Sequence, residues 1–184
     1  MNLPNKLSML RICMVPVFVA LALVEAQWAQ LTALAVFCLA SLTDLLDGQI
    51  ARRRNLVTNF GKFIDPIADK LLVMSALVVL VGQGRMPAWV CILMLAREFA
   101  ISGFRLVAAG TGKVIAAGWL GKVKTVTQMA AVILLLLLKP VAGEPLLGAG
   151  GVWVADIVMY VSAVMTVWSG VDYIARNFDC IGDM

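Results

Sequence analysis

The chain has 184 residues, of which 62% are hydrophobic and 14% charged, with a mean hydropathy of +0.95 and a net charge of +4 at neutral pH. A soluble domain carries about 25% charged residues, so this composition excludes a water-soluble globule and indicates an integral membrane protein. Histidine is absent, which removes Ser-His-Asp and Cys-His catalysis, H-E-x-x-H zinc chemistry and the two-His-one-carboxylate iron site.

A bilayer core about 30 Å thick needs about 20 apolar residues in helix. Six such spans are predicted, at 7–24, 30–50, 61–81, 88–106, 118–138 and 151–174. The first lacks a small-residue cleavage site and runs straight on into the second, so no cleavable signal peptide is expected. Turn chemistry separates later spans at Gly82-Gln83-Gly84 with Pro87, at Gly110-Thr111-Gly112, and from Pro140 to Gly151. Gly110-Thr111-Gly112-Lys113 is not a phosphate loop, because the glycine five residues earlier is missing and no strand precedes it. The expected fold is all-α, one six-helix transmembrane domain over 1–184.

Counted on alternate sides, thirteen of the fifteen Lys and Arg fall on the side of both termini, and only Arg85 and Lys139 on the other. By the positive-inside rule both termini are expected in the cytoplasm. Trp28, Trp89 and Trp153 read as an interfacial belt, and Arg53 and Arg54 as contacts to anionic headgroups. Cys13, Cys38, Cys91 and Cys180 show no C-x-x-C spacing; three lie in apolar runs, where cysteine acts as a small hydrophobe.

Asp44, Asp47, Asp65 and Asp69 stand in or at the mouths of spans two and three. A charge near the bilayer centre costs about 2.5–3.5 kcal/mol or more, so something must neutralise them. At roughly 100° per residue, Asp44, Asp47, Gly48, Ala51 and Arg52 share one helix face, and Gly61, Asp65 and Asp69 another. The short basic loop between the spans makes them antiparallel, bringing Asp44 level with Asp69 and Asp47 level with Asp65. Carboxylates that close raise one another's pKa. Two divalent cations balance four negative charges, and all-oxygen ligation favours Mg²⁺ or Mn²⁺. The competing reading is a set of salt bridges to Arg52, Arg53, Lys62 and Lys70. Gly48 and Gly61, having no side chain, let a bulky ligand approach the backbone.

The spacing Asp44-x-x-Asp47-Gly48-x-x-Ala51-Arg52, eight residues, then Gly61-x-x-x-Asp65-x-x-x-Asp69, resembles the signature of the CDP-alcohol phosphotransferase family at every fixed position. The resemblance extends to Asn2-Leu3-Pro4-Asn5-Lys6-Leu7-Ser8-x-x-Arg11, Ala96-Arg97-Glu98 and Gly121-Lys122-Val123-Lys124-Thr125. Ser8 stands where threonine is expected and keeps the hydroxyl. The resemblance implies six transmembrane helices, usually as a homodimer in the bacterial inner membrane. It also implies transfer of a phosphatidyl group from CDP-diacylglycerol to sn-glycerol 3-phosphate, with loss of CMP. Asp44, Asp47 and Asp65 are then metal ligands, and Asp69 is both ligand and general base. Gly48, Ala51, Arg52, Gly61 and, more remotely, Asn5 belong to the nucleotide-lipid donor.

An acceptor that is itself a phosphate needs a second anion site. Arg97, Arg105 and Lys122 are expected to line it; Lys124 and Thr125 point in other helical directions and are secondary candidates. Arg97 lies about 12 Å deeper than Arg105, at 1.5 Å per residue. The plainer alternative pairs Arg97 with Glu98 and lets the lysines snorkel. Inositol phosphate as acceptor remains open from these residues alone. A divalent-cation transporter also needs intramembrane carboxylates, but tends to place them near the midplane between repeats.

Overall fold

A computed structural model describes the backbone of residues 3–54, 59–110, 118–141, 143–145 and 147–178, and the side chains of 7–43, 67–68, 70–110, 118–141, 143–145 and 147–178. Six helices and no strand are present among the described residues: α1 (Leu3–Ala22), α2 (Gln27–Arg54), α3 (Asn59–Gly82), α4 (Ala88–Gly110), α5 (Trp119–Leu138) and α6 (Gly148–Asn177). Each predicted apolar run falls mainly in one helix: the first overruns α1 by two residues and the fifth starts one residue before α5, while several helices extend past their run. α2, for example, continues through the basic residues to Arg54.

The bundle is built as two groups. α1 lies against both α2 and α3, while α6 packs along α5 and α4; contacts of α2 and α3 with α5, and of α3 with α4, join the halves. Small residues make the close approaches. Ala22, Ala29, Ala33, Ala40, Ala76, Ala131 and Ala155 are buried, whereas Leu10, Leu39, Ile92, Leu106, Val126 and Val164 face outward. In water this arrangement would leave a large apolar surface exposed. In lipid, helices associate through small-residue packing and polar contacts, so large apolar side chains belong outside. Phe18 and Phe37 fill the α1–α2 seam with ring centroids 5.6 Å apart, a pairing worth about 0.5–1.5 kcal/mol beyond its burial.

By length and hydropathy alone, α5 and α6 qualify as membrane spans, each with mean hydropathy 1.6. Among the described residues the apolar stretches of α1, α2 and α3 are shorter, at Leu7–Ala22, Gln27–Thr43 and Lys70–Gly82, and α4 carries Arg97, Glu98 and Arg105. All five tryptophans are exposed, and Trp28, Trp89 and Trp119 stand within two residues of a helix start.

Gly84 organises one end of the bundle. Its φ of +66° is a left-handed conformation that L side chains rarely adopt. The N–H of Arg85 then reaches Leu80 O at 2.9 Å and that of Gly84 reaches Val81 O at 3.0 Å, closing α3 with a Schellman cap. The turn sends Arg85 inward, where it is 3% exposed. Arg85 donates to Gln30 Oε1 and Gln83 Oε1, both at 3.0 Å, and to the last carbonyls of α5, Leu135 O and Leu136 O. Gln30 in turn donates to Ala22 O at 2.7 Å, and Lys139 joins Arg85 O at 3.2 Å to Asp156 at 3.1 Å. The ends of α1, α3 and α5 and the starts of α2 and α6 thus meet at one level, so the other set of helix ends meets at the opposite level. Burial draws the Arg85 pKa down to about 10, leaving it charged at neutral pH.

Candidate active site

Buried stripes on two helices lead into the acidic residues. On α2 Ala29, Ala33, Phe37 and Ala40 are buried at i, i+4, i+8 and i+11. Asp44, Asp47 and Ala51 continue that register four, seven and eleven residues beyond Ala40. On α3 Ala68, Leu72 and Ala76 are buried; Asp65 and Asp69 precede Leu72 by seven and three residues, on the same stripe. The backbone is helical through both acidic pairs. The side chains of Asn5, Asp44, Asp47, Gly48, Ala51, Arg52, Gly61, Asp65 and Asp69 lie outside the described residues. Among the described residues no three His, Cys, Asp or Glu converge on a metal position. Four carboxylates at sequence positions that continue these registers are an all-oxygen donor set of the kind that suits a hard divalent cation.

Next to Asp69 the side chains are described, and a cation cluster begins. Lys70 of α3 donates to Ser102 Oγ of α4, and that hydroxyl donates to Glu98 O at 2.6 Å. The Glu98 carboxylate takes Lys124 of α5 and, at 3.3 Å, Arg97 on the same oxygen. Arg97 reaches across to Ser169 Oγ on α6 at 3.1 Å. A Cβ at Gly170 would stand 3.2 Å from Arg97 Cγ and one at Gly121 3.8 Å from Nη2, so two glycine surfaces admit the guanidinium. Arg105 donates from Nε to Tyr173 Oη at 3.1 Å and lies 5.2 Å from the ring centroid; Phe104 meets the same ring edge-on.

The two lysines of α5 separate. Lys122 is exposed, whereas Lys124 is 1% exposed and paired. Two residues along a helix turn the side chain about 200°, so one faces outward when the other faces the bundle. Arg97 and Lys124 share one carboxylate, Arg105 stands two helical turns along α4 on Tyr173, and Thr125 is exposed and donates to Gly121 O at 3.0 Å. The Arg97–Glu98 pairing weighed from the sequence is present, and Lys124 joins it.

Sequence reasoning passed over Ser102, Gln128, Ser169 and Tyr173. α6 carried a usable signal: Ser162, Thr166, Ser169 and Tyr173 repeat at i, i+4, i+7 and i+11 in an apolar span, and all four are buried. Hydroxyls on one face of a membrane helix mark an inward stripe.

Beside this cluster, α1, α2, α3 and α5 enclose an apolar groove of ≈ 480 Å³. Cys38, Leu72, Val73, Met129 and Ile133 line it, together with Arg11, which is 2% exposed. A smaller cavity of ≈ 70 Å³ lies between α3, α4 and α5, and Val73 and Thr125 border both.

The profile of CDP-alcohol phosphatidyltransferases matches residues 1–168. The chain belongs to that family. It is 43% identical to the CDP-diacylglycerol–glycerol-3-phosphate 3-phosphatidyltransferase of Bacillus subtilis (strain 168), covering 98% of this chain and 97% of the relative. It is 44% identical to a probable phosphatidylglycerophosphate synthase of Mycobacterium tuberculosis, over 98% of this chain and 84% of the relative. A Salmonella paratyphi A enzyme with the same name as the Bacillus relative is 39% identical over 95% and 93%. Enzymes of this family are membrane-bound and use divalent cations, which agrees with the apolar exterior and the carboxylate register described above.

Proposed function

We infer that the chain transfers the phosphatidyl group of CDP-diacylglycerol to sn-glycerol 3-phosphate, releasing CMP and phosphatidylglycerophosphate. The observation that carries this is the pairing of Arg97 and Lys124 with one carboxylate, Glu98, while Lys70, next in sequence to Asp69, bonds the Ser102 hydroxyl beside them. Such a surplus of buried positive charge suits an acceptor that brings its own phosphate, and relatives along nearly the whole chain carry names that state this reaction.

All six helices then cross the bilayer of the bacterial inner membrane, with both termini and the aspartates on the cytoplasmic side, a reading supported by the distribution of thirteen basic residues against two. The functional unit is a homodimer. Asp44, Asp47, Asp65 and Asp69 hold two Mg²⁺ or Mn²⁺ ions. When bound, these ions neutralise the donor pyrophosphate and the charge that develops on it. Gly48, Ala51, Arg52, Gly61 and Asn5 cradle the cytidine and its phosphates, and the ≈ 480 Å³ groove takes acyl chain. Arg97, Arg105, Lys122 and Lys124 draw in the acceptor phosphate.

Asp69 accepts the proton of the acceptor hydroxyl as its oxygen bonds to the lipid-bearing phosphorus. The bond from that phosphorus to the oxygen bridging it to CMP breaks, and CMP leaves with the bridging oxygen. General-base assistance contributes about 10²–10⁴ in rate.

Purified protein given CDP-diacylglycerol and, in turn, glycerol 3-phosphate or inositol phosphate decides the acceptor. Phosphatidylglycerophosphate is expected, with CMP release that stops on chelation. Inositol phosphate in the lipid product would overturn the acceptor, and absence of CMP release would overturn the reaction. Asp69→Asn should lower turnover by about 10²-fold or more while nucleotide-lipid binding persists; near-normal turnover would remove Asp69 from the base role.

A further inference from the structure

The helix α3 has a weak point between its two carboxylates. Pro66 lies inside it, between Asp65 and Asp69, and a proline there offers the Lys62 carbonyl no N–H to bond. One turn further on stands Lys70. It is set about 100° round the helix from Asp69, so the two do not face each other. Its ammonium crosses instead to α4 and donates to Ser102 Oγ. That hydroxyl gives its own proton to Glu98 O at 2.6 Å, which leaves its lone pairs turned to the lysine. Both side chains are half-buried. A lysine held at its tip by a fixed acceptor on the neighbouring helix restrains rotation of α3 about its own axis, and the restraint acts at the residue after Asp69.

We propose that Ser102 is a positioning residue for the divalent cations: through Lys70 it fixes the rotation of α3 just beyond Pro66 and so keeps Asp65 and Asp69 turned toward α2, a role that rests on the metal site inferred above. Ser102 acts through Lys70 and not by contact with the ions. What it sets is the fraction of molecules in which the four carboxylates converge. A protein whose competent form is only partly populated binds its ligand more weakly by that same fraction. Without the tie, α3 is held at this level by packing that, in lipid, has no hydrophobic drive behind it. Losing one hydrogen bond made by a charged group shifts such an equilibrium by about ten-fold or more.

The test compares wild type with Ser102→Ala, Ser102→Val, Ser102→Thr and Gly103→Ala, each as the full chain in detergent. Valine and threonine share a shape and differ in the hydroxyl, so that pair keeps the comparison open if Ser102→Ala does not fold. A Cβ at Gly103 meets nothing within 4 Å, which makes Gly103→Ala a control for changes in α4 itself. Binding of Mn²⁺ without substrates is followed by loss of the free-ion EPR signal, alongside the Mg²⁺ concentration that gives half-maximal CMP release and the KM for glycerol 3-phosphate. Ser102→Ala and Ser102→Val should weaken Mn²⁺ binding and raise the Mg²⁺ requirement together, by about three- to ten-fold, with the acceptor KM at saturating Mg²⁺ unchanged. Ser102→Thr and Gly103→Ala should bind Mn²⁺ as wild type does. Wild-type affinity in Ser102→Ala and Ser102→Val would overturn the proposal, as would equal weakening in Ser102→Thr or Gly103→Ala. A raised acceptor KM with unchanged metal affinity would overturn it too and place Ser102 on the acceptor side. Should wild type itself bind no Mn²⁺ and release CMP after chelation, the metal site falls and the role of Ser102 with it.

Discussion

At one end of the bundle Arg85 is ringed by four neutral acceptors, two amide oxygens and the last two carbonyls it reaches on α5. At the opposite end Lys70, Arg97 and Lys124 gather round one carboxylate and a few hydroxyls, with an amide N–H left over at Gln128. Both clusters are buried cations in a membrane bundle, and each would be costly if unsatisfied. The first is answered at both terminal nitrogens by protein groups at helix ends, while its Nε has no partner among the described residues. The second has more charge than the described protein groups answer. Burial of a charge therefore does not by itself distinguish structural from functional roles in this molecule.

That contrast breaks if Arg85 turns out to serve catalysis. Arg85→Met removes the donor to Leu136 O, whereas Leu135 O keeps the Lys139 N–H at 3.3 Å, and an unsatisfied buried acceptor costs about 1–3 kcal/mol. A loss of about 2–4 kcal/mol in unfolding stability is expected, with the KM of both substrates unchanged in the protein that remains folded. A shifted acceptor KM would merge the two clusters into one site. Lys124→Met sharpens the contrast from the other side. Glu98 keeps Arg97 at 3.3 Å, so unfolding should change little, while the KM for glycerol 3-phosphate rises about ten-fold or more, as for one charged hydrogen bond. Equal effects on donor and acceptor would argue against an acceptor role. The smallest effect is expected for Asp156→Asn. Its ion pair with Lys139 at 3.1 Å has both side chains about a quarter exposed, and such pairs contribute about 0.2–1 kcal/mol. A larger loss in thermal unfolding would show that the Arg85 network depends on its outer ion pair.

Much of the fold and part of the site can be read from residue order. Arg85 and Lys139 already stood apart as the two basic residues on the far side, and the structure joins them through the Arg85 carbonyl. The acidic register on α2 and α3 continues stripes whose burial follows from Ala33, Phe37 and Ala40 and from Leu72 and Ala76. Lys124 was harder. Two lysines two residues apart at the head of an apolar span look alike in sequence, and the choice between them depends on which face of α5 meets α3 and α4. Gln128 was invisible for a related reason: a lone glutamine in a span is unremarkable until its neighbours on other helices prove to be lysines.

Composition, helical period and the distribution of charge determined by themselves that this is an apolar helical protein with carboxylates in two adjacent helices, because those properties are local and repeat along the chain. Which basic side chains meet, that Glu98 holds two of them, that α6 contributes Ser169 and Tyr173, and that Arg85 closes α5 were decided only in three dimensions. Each depends on the rotation of one helix against another, and that rotation is set by the packing of small residues from distant segments of the chain.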